Sequence, residues 1–275
     1  MKNVTPATDR LSAATVRKSD ADSLDDNLQR RFGLPGFRPW QREAITELLH
    51  GSRQVLVVAP TGGGKSLCYQ FPATELSGTT VVVSPLVALM EDQVRGLQER
   101  GIRATWLSST LTAEERRERS QGIREGRYQL VYLAPERLTL GSTVETLARL
   151  EPPLVAIDEA HCISQWGHDF RPDYLGLRRV LDALRPPRVL ACTATATPAV
   201  REEILGQLGL DQAAVILRGF ARPNLRLSAR NVPGAGQRRT VALAELWRVL
   251  SGPRQTDGAA IIYAGTRREA EQTAE

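Results

Sequence analysis

The sequence predicts a doubly wound α/β domain, in which a parallel sheet carries helices on both faces. Short β-rich runs alternate with helical stretches along most of the 275 residues, and this is the order expected of a parallel sheet. Several of the runs are apolar almost throughout, as in strands that are covered on both faces. Polar motifs follow directly after strands, where the carboxyl ends of an open α/β sheet line a ligand crevice.

The spacing of apolar residues predicts the type of each element, and turn residues mark its ends. The strands are predicted at 54–59, 79–84, 103–107, 128–134, 154–158, 188–193 and 213–217. The helices are predicted at 41–49, 65–76, 86–100, 113–125, 174–184 and 198–208. Thr112 precedes Glu115 by three residues, which is the spacing of a capping box. Pro198 follows Thr197 and suits the first turn of a helix.

A second α/β unit is indicated after residue 218. The pattern changes near Gly219, and a strand at 225–229, a helix at 240–250 and a strand at 259–264 follow. A parallel sheet needs more strands than these to cover its faces. We therefore predict a disordered tail at 1–23, a first domain at 24–218, and a linker with an incomplete second domain at 219–275.

Composition limits the classes of protein. The three cysteines are far apart, and they lack the paired spacing of a zinc site or of a disulfide framework. No apolar run approaches the ~18 residues that span a bilayer, and the first twenty residues lack the apolar region of a secretory signal. We expect a cytoplasmic protein with no zinc and no membrane partner. The net charge of +5 is compatible with nucleic acid or with a solvated basic surface.

A phosphate-binding loop is predicted between the first strand and the helix that follows it. Its sequence is Ala59-Pro-Thr-Gly-Gly-Gly-Lys-Ser66, and Lys65 is the only lysine after Lys18 in an arginine-rich chain. The glycines allow backbone N–H groups to approach phosphate, and the helix amino end adds positive potential. The ammonium would neutralise the β- and γ-phosphates of ATP, and the Ser66 hydroxyl would ligate Mg²⁺. A flexible glycine-rich turn is the alternative. The predicted nucleotide ligands here are Thr61, Gly62, Gly63, Gly64, Lys65 and Ser66.

The acidic motif Asp158-Glu-Ala-His161 follows the apolar run 154–157. Asp158 would hold Mg²⁺ through water, Glu159 would polarise the attacking water, and His161 would sense the γ-phosphate. We therefore predict Lys65 and these three residues as the catalytic set. The alternative is a solvated acidic loop in which His161 is a satisfied polar residue.

Two weaker signals flank these motifs. Thr193 and Thr195 would place hydroxyls between the nucleotide and the second domain, although hydroxyl residues are frequent in ordinary loops. Gln41 carries both a donor and an acceptor, which adenine recognition requires, and Arg38 could stack on the base. A simple helix start at Pro39 would also explain that segment.

The segment 162–174 is rich in aromatic residues. Trp166, Phe170 and Tyr174 account for three of the 14 aromatic side chains of the chain. Bases stack on aromatic faces and Arg171 can bind phosphate, so a DNA-sensing loop is one interpretation. The spacing of four also fits a helix core stripe, although Gly167 and Pro172 argue against an uninterrupted helix. Metal binding by His161, Cys162 and His168 is a third interpretation, which the lack of paired ligand spacing disfavours.

Together these motifs resemble the RecQ family of superfamily-two DNA helicases. The resemblance runs in order from about Phe32 to the end of the chain. It rests on 37–41, 60–70, Val83-Ser-Pro-Leu86, Asp92-Gln93, 133–138, 158–174, Thr193–Thr195 and 220–224. The long stretch 158–174 separates this family from DEAD-box RNA helicases.

The resemblance implies an ATP-driven motor of two RecA-like domains that moves 3′ to 5′ on single-stranded DNA and serves repair or recombination. It implies Arg38 and Gln41 as the adenine-recognition residues, beside ATP and Mg²⁺ as cofactors. Single-stranded or partially duplex DNA is the expected partner, with nucleoid association if the source is bacterial, and protein partners stay unspecified. The residues that the resemblance assigns to DNA binding and coupling are Gln165, Trp166, His168, Phe170, Arg171, Thr193 and Thr195.

Departures from the family pattern also carry expectations. Leu34 stands where some members have an aromatic that packs on adenine, Trp40 replaces a glycine and Cys192 a leucine. The later motifs of the second domain, including an arginine finger, do not occur. We expect Mg·ATP binding with poor strand separation by this chain alone. A DNA- or partner-binding fragment with a vestigial site, and RNA remodelling, are the alternative functions.

Overall fold

A computed structural model describes residues 21–165, 169–219, 228–232, 235–250 and 261–274. The chain divides into two compact units, Met1–Phe220 and Ala221–Glu275. The larger unit holds the sheet and all the nucleotide-site candidates. Among the described residues, no helix combines the length and apolar character that crossing a bilayer requires.

Seven parallel strands form one sheet in the order β3-β4-β2-β5-β6-β1-β7. Each lies within or coincides with a segment that the sequence predicts as a strand. The central strands are buried on both faces, which explains their nearly continuous apolar sequences. The strands are β1 Gln54–Val58, β2 Thr80–Val83, β3 Ala104–Leu107, β4 Leu130–Leu133, β5 Val155–Ile157, β6 Val189–Thr193 and β7 Ala214–Leu217.

Helices cover both faces of this sheet, so the predicted doubly wound architecture is confirmed. Val55 and Val57 of β1 face one buried cluster, and Leu56 and Val58 face the other, as strand alternation requires. The first face carries α1 Ala21–Phe32, α2 Pro39–His50, α3 Leu67–Glu75 and α4 Val87–Gln98. The second face carries α5 Ala113–Arg124, α6 Gly141–Ala148, α7 Leu177–Leu184 and α8 Pro198–Leu208.

Two helix starts follow their predicted local chemistry. The Thr112 hydroxyl accepts from the Glu115 backbone N–H, and the Glu115 carboxylate accepts from the Thr112 backbone N–H. This reciprocal pair is the predicted capping box. At α8, Pro198 occupies the first turn as predicted, and the Thr197 hydroxyl accepts from the Val200 backbone N–H.

Three of the described helices were not predicted from the sequence: α1, α6 and, in the second unit, Arg267–Ala274. Residues 21–23, which were assigned to a disordered tail, form the first turn of α1, so that assignment is wrong for these three residues. Leu24 and Leu28 lie one helical turn apart and are buried in the first core cluster, and Phe32 packs against it. This burial stabilises a helix whose other residues are largely charged. Residues 1–20 lie outside the described part of the chain.

The second unit contains two described helices, α9 Ala235–Leu250 and α10 Arg267–Ala274. Helix α9 includes the predicted helix 240–250. The predicted strand 259–264 is wrong over its described part, because residues 261–264 form no strand. Ile261 and Tyr263 are 78% and 90% exposed, so the apolar run is not buried as a parallel strand would be. Most of the other predicted strand, 225–229, lies outside the described residues.

Candidate functional site

The phosphate-loop candidate connects the end of β1 to the start of α3. Gly62 and Gly64 have φ angles of 74° and 83°, a region that favours glycine. A Cβ on Gly63 would lie 2.8 Å from the Pro60 carbonyl oxygen, so that position has no room for a side chain. The Lys65 ammonium donates to the Ala59 carbonyl oxygen at 3.0 Å, which draws the ammonium over the loop. The loop conformation therefore depends on the glycines, and the ammonium lies against the carbonyl oxygens of Ala59 and Pro60.

Gln41 fastens the start of α2 to this loop. Its Oε1 accepts from the Arg38 backbone N–H at 2.9 Å, and its Nε2 donates to the Gly64 carbonyl oxygen at 3.0 Å. A Cβ on Gly64 would lie 2.6 Å from that Nε2. The side chain is 4% exposed. The structure therefore gives Gln41 a role that the sequence analysis did not foresee, in positioning the phosphate loop, and adenine recognition stays a prediction.

A cavity of about 480 Å³ opens beside the loop. A volume of this order accommodates a small organic ligand. Leu34 is 40% exposed and lines this cavity together with Arg38 and Gln41. Gly64 and Ser66 line its loop side. The two residues predicted to bind the base thus border one space with three of the predicted phosphate ligands, Gly63, Gly64 and Ser66, whereas Thr61, Gly62 and Lys65 do not line it.

The two acids of the acidic motif have opposite electrostatic environments. Burial, and then the neighbouring charge of Glu159, raise the pKa of Asp158 to about 6. A hydrogen bond with His161 lowers the pKa of Glu159, which keeps that carboxylate ionised at neutral pH. The Lys65 ammonium lowers the pKa of both acids. The lysine and both carboxylates therefore lie within electrostatic reach of one another, although about ninety residues separate them in the chain.

The backbone holds Glu159 in an unusual conformation. Its φ and ψ are 47° and 46°, in the left-handed region that non-glycine residues rarely adopt. Its N–H donates to Asp158 Oδ1 at 3.0 Å. Strain of this kind costs about 1 kcal/mol or more and is frequent at functional sites. The turn sends the two successive carboxylates in different directions, one to the interior and one toward His161.

His161 joins the acidic motif to the end of β6. Its Nδ1 lies 3.3 Å from Glu159 Oε2 and 2.9 Å from Thr193 Oγ1. The Thr193 hydroxyl in turn donates to the Thr195 carbonyl oxygen at 3.1 Å. Thr193 is fully buried and Thr195 is exposed. The structure thus places Thr193 against the acidic motif, and its predicted part in DNA coupling stays a prediction.

Two tyrosines complete this site. Tyr69 Oη lies 3.4 Å from Asp158 Oδ2, and Ser66 forms a side-chain hydrogen bond with the same tyrosine. Tyr174 donates to the Asp158 carbonyl oxygen at 3.0 Å and is fully buried. Tyr174 is therefore a core residue, which agrees with the core-packing interpretation of this residue. Sequence reasoning gave Tyr69 no role, because a tyrosine inside an apolar helix resembles any core residue.

The oxygen donors present fit the magnesium ion that the resemblance implies. Ser66 and Asp158 both approach the Tyr69 hydroxyl, so a hydroxyl and a carboxylate converge at the end of the phosphate loop. Hydroxyl, carboxylate and phosphate oxygens are the ligands that Mg²⁺ prefers. Assignment of Ser66 and Asp158 to Mg²⁺ accordingly stays a prediction with a compatible donor set.

The segment after the acidic motif is tied to two neighbouring elements. Arg171 Nη1 donates to the Pro85 carbonyl oxygen at 3.1 Å, just after β2. Ser164 Oγ and the Gln165 backbone N–H both donate to the Glu203 carboxylate of α8. Phe170 is half-buried and Gln165 exposed. Trp166 and His168, which were also predicted to contact DNA, lie outside the described residues.

Comparison with known proteins identifies the class. Residues 38–204 match the family described as DEAD/DEAH box helicase. Because this match covers more than half of the chain, the protein belongs to the DEAD/DEAH box helicase family.

The curated relatives are more specific. The chain is 43% identical over 246 residues to an ATP-dependent DNA helicase RecQ of Bacillus subtilis (strain 168), and the match covers 89% of this chain and 40% of that relative. It is 38% identical over 265 residues to the ATP-dependent DNA helicase RecQ of Haemophilus influenzae, covering 96% of this chain and 41% of that relative. The predicted resemblance to RecQ is confirmed, and the chain spans about two-fifths of the length of these relatives.

A solved structure agrees with the fold. The Mycobacterium smegmatis helicase Lhr bound to ssDNA and AMP-PNP superposes with a TM-score of 0.63 at 23% identity, over 88% of this chain and 33% of that one. The predicted RecA-like fold of the first domain is therefore confirmed.

Proposed function

We propose that this chain is the nucleotide-hydrolysing part of an ATP-dependent DNA helicase and couples Mg·ATP turnover to single-stranded DNA. The observation that carries the proposal is the convergence of Lys65, Asp158 and Glu159 at the carboxyl edge of the sheet. Such a combination of one ammonium and two carboxylates is what phosphoryl transfer to water requires. The RecQ relatives, which are named as DNA helicases, support DNA as the partner.

Each predicted site residue has a separate role in the proposed hydrolysis. Lys65 and the N–H groups of the loop bind the β- and γ-phosphates, with Ser66 and Asp158 as the ligands of Mg²⁺. When bound, Mg²⁺ offsets the charge that develops on the phosphate oxygens. Glu159, kept ionised by His161, orients the attacking water and accepts its proton. Arg38 and Gln41 border the space for the base.

We assign coupling to DNA to the contacts that connect the acidic motif and the segment after it to the neighbouring strands. His161 contacts Thr193, and Arg171 reaches the loop after β2. A change in the position of Glu159 or His161 during turnover would therefore be transmitted to both neighbouring strand ends. The predicted DNA-binding residues lie on or next to these segments. Movement 3′ to 5′ and a role in repair or recombination are part of the proposal through the RecQ resemblance.

The test is the steady-state ATP hydrolysis rate, measured with single-stranded DNA, duplex DNA, single-stranded RNA or no nucleic acid. We expect single-stranded DNA to give the largest acceleration. Lys65→Ala should abolish hydrolysis with and without DNA, because no other described lysine can replace the ammonium. Lys18→Ala is the matched control and should leave the rate unchanged.

The outcomes separate the candidate functions. Nucleotide binding without turnover in the presence of every nucleic acid would refute the proposal and favour a DNA- or partner-binding fragment. Stronger acceleration by RNA than by DNA would favour RNA remodelling. In a duplex-unwinding assay we expect little strand separation by this chain alone.

A further inference from the structure

A second cluster of ligand-type side chains lies beside the acidic motif. Cys162 Sγ lies 4.0 Å from His161 Nε2 and 3.8 Å from Asp169 Oδ2. All three candidate ligand atoms lie within 4.8 Å of one another. Asp169 follows Cys162 by seven positions in the chain, and its carboxylate accepts from the thiol. The cluster has no part in the proposed phosphate chemistry except through His161.

These separations suit a small tetrahedral ion. Ligand bonds of about 2.0 Å to nitrogen or oxygen and about 2.3 Å to sulfur place neighbouring ligand atoms about 3.3–3.6 Å apart in a tetrahedral site. The two separations to the thiol, 3.8 Å and 4.0 Å, exceed this by a few tenths of an ångström. The third, between His161 and Asp169, is at most 4.8 Å, so the exposed Asp169 side chain would have to rotate toward the imidazole. Imidazole, thiolate and carboxylate are a donor set for Zn²⁺ or Co²⁺, whereas Mg²⁺ prefers oxygen alone.

The surroundings orient the imidazole as a metal ligand. The Nδ1 side of the His161 ring contacts Thr193 Oγ1 and Glu159 Oε2, so Nε2 faces the thiol. A hydroxyl or carboxylate on the far ring nitrogen is the usual support of a metal-binding histidine. Cys162 is fully buried and held in a 3₁₀ turn. The Asp169 side chain is 49% exposed, which provides an entry path from solvent.

Two features oppose metal binding. Arg171 Nη2 lies 3.7 Å from Asp169 Oδ2, and this half-exposed pair would weaken when the carboxylate turned to an ion. Exposed ion pairs contribute little to stability. Burial and the neighbouring Asp169 also raise the pKa of the Cys162 thiol to about 12, so an ion that binds here has to displace the thiol proton.

We propose that His161, Cys162 and Asp169 form a binding site for a Zn²⁺-class transition-metal ion, and that its occupancy inhibits ATP turnover. The inhibition follows because the ion would fix His161, which contacts Glu159 and Thr193, in one position. This part rests on the proposed function, whereas the metal site itself does not. No zinc was predicted from the sequence, because the chain lacks paired ligand spacing and the carboxylate of Asp169 gives no ligand signal in the sequence.

Cobalt(II) titration of the whole chain tests the site without any assay of activity. We expect a sulfur-to-cobalt charge-transfer band in the near ultraviolet that saturates at one ion per chain and is displaced by Zn²⁺. Cys162→Ser should remove the band. Asp169→Asn, a surface change that should leave the fold intact, should weaken the cobalt affinity about tenfold or more.

Two matched variants control for adventitious binding. Cys192→Ala removes a different buried thiol, and Asp173→Asn removes an exposed carboxylate four residues from Asp169. Both should retain the band and the affinity of the wild-type chain. Absence of a band from the wild-type chain, or a band and affinity that survive Cys162→Ser or Asp169→Asn, would overturn the proposal.

Zinc inhibition of ATP hydrolysis tests the second part. With Mg²⁺ in excess, we expect added Zn²⁺ to inhibit the wild-type chain and to require about tenfold more ion to inhibit Asp169→Asn. The comparison is made within each variant, with and without zinc. Equal inhibition of Asp169→Asn and the wild-type chain would refute regulation at this site. If the wild-type chain shows the cobalt band but hydrolyses no ATP, the proposed function is refuted and the metal site is still supported.

Discussion

Replacement of Asp158 by asparagine should stabilise the fold and destroy the nucleotide site at the same time. The side chain is 6% exposed, and its charged form is disfavoured by burial and by the adjacent Glu159. An amide has nearly the same shape and can still accept from the Glu159 backbone N–H, which lies 3.0 Å from Oδ1. Asp158→Asn therefore removes a buried charge while it keeps the packing.

The size and sign of the effect follow from the pKa of this carboxyl. Its value is about 6 in the folded chain against an ordinary value of 3.8, and that difference corresponds to about 3 kcal/mol. Because the folded pKa is the higher one, the wild-type chain loses stability as the pH rises from about 4 to about 6. Below that window both states are protonated, and above it the loss is constant. The variant escapes this loss, so its advantage should grow from zero at about pH 4 to at most about 3 kcal/mol above about pH 6.

Urea denaturation followed by circular dichroism, at several pH values across this window, measures the difference. Asp182→Asn is the control, because Asp182 is exposed and pairs with Arg178 on the surface of α7. It should change stability by less than about 1 kcal/mol. A variant Asp158→Asn that is less stable than wild type at neutral pH, or whose difference does not vary with pH, would show that the buried charge has been misjudged. Mg·ATP binding by this variant should be lost, since its predicted metal ligand is gone.

Two further predictions concern single contacts. Gly64→Ala should weaken Mg·ATP binding about tenfold or more, because the position has a φ of 83° and a Cβ there would meet Gln41. Binding of a fluorescent ATP analogue measures this, with Gly206→Ala in an open position of α8 as the control that should keep its affinity. Tyr174→Phe should cost about 1–2 kcal/mol in urea denaturation, because it leaves the buried Asp158 carbonyl oxygen without its hydroxyl donor. A loss of less than ~0.3 kcal/mol would mean that another group satisfies this oxygen.

The sheet could be predicted because a strand that is buried on both faces needs apolar residues at almost every position. Residues 55–58 and 81–83 are apolar without interruption and rich in valine, and such short runs between turn residues are typical of strands that are covered on both faces. Helix α1 was missed for the opposite reason. Among the residues of α1 whose burial is described, only Leu24 and Leu28 are buried. The charged and polar residues around them give this segment the composition of a disordered tail. The partners of the two leucines come from helices that follow later in the chain.

The motifs of the candidate site could be predicted from the sequence, but the contacts between their side chains could not. The Gly-Lys-Ser sequence and the acidic motif mark the two halves, because phosphate chemistry restricts which residues can serve. The contact of His161 with Thr193 joins residues 32 positions apart, and sequence spacing carries no sign of it. The use of both ends of the Gln41 amide within the protein is likewise a tertiary property.

The central claim is that Glu159 activates water while other groups hold the nucleotide. Glu159→Gln keeps the size of the side chain and removes its ability to accept a proton, so turnover and binding can be measured separately. With single-stranded DNA present, we predict that kcat for ATP falls by at least ~10²-fold while the affinity for Mg·ATP stays within about threefold of wild type. Hydrolysis at the wild-type rate would contradict the account, because the carboxylate that His161 keeps ionised would then have no part in the reaction.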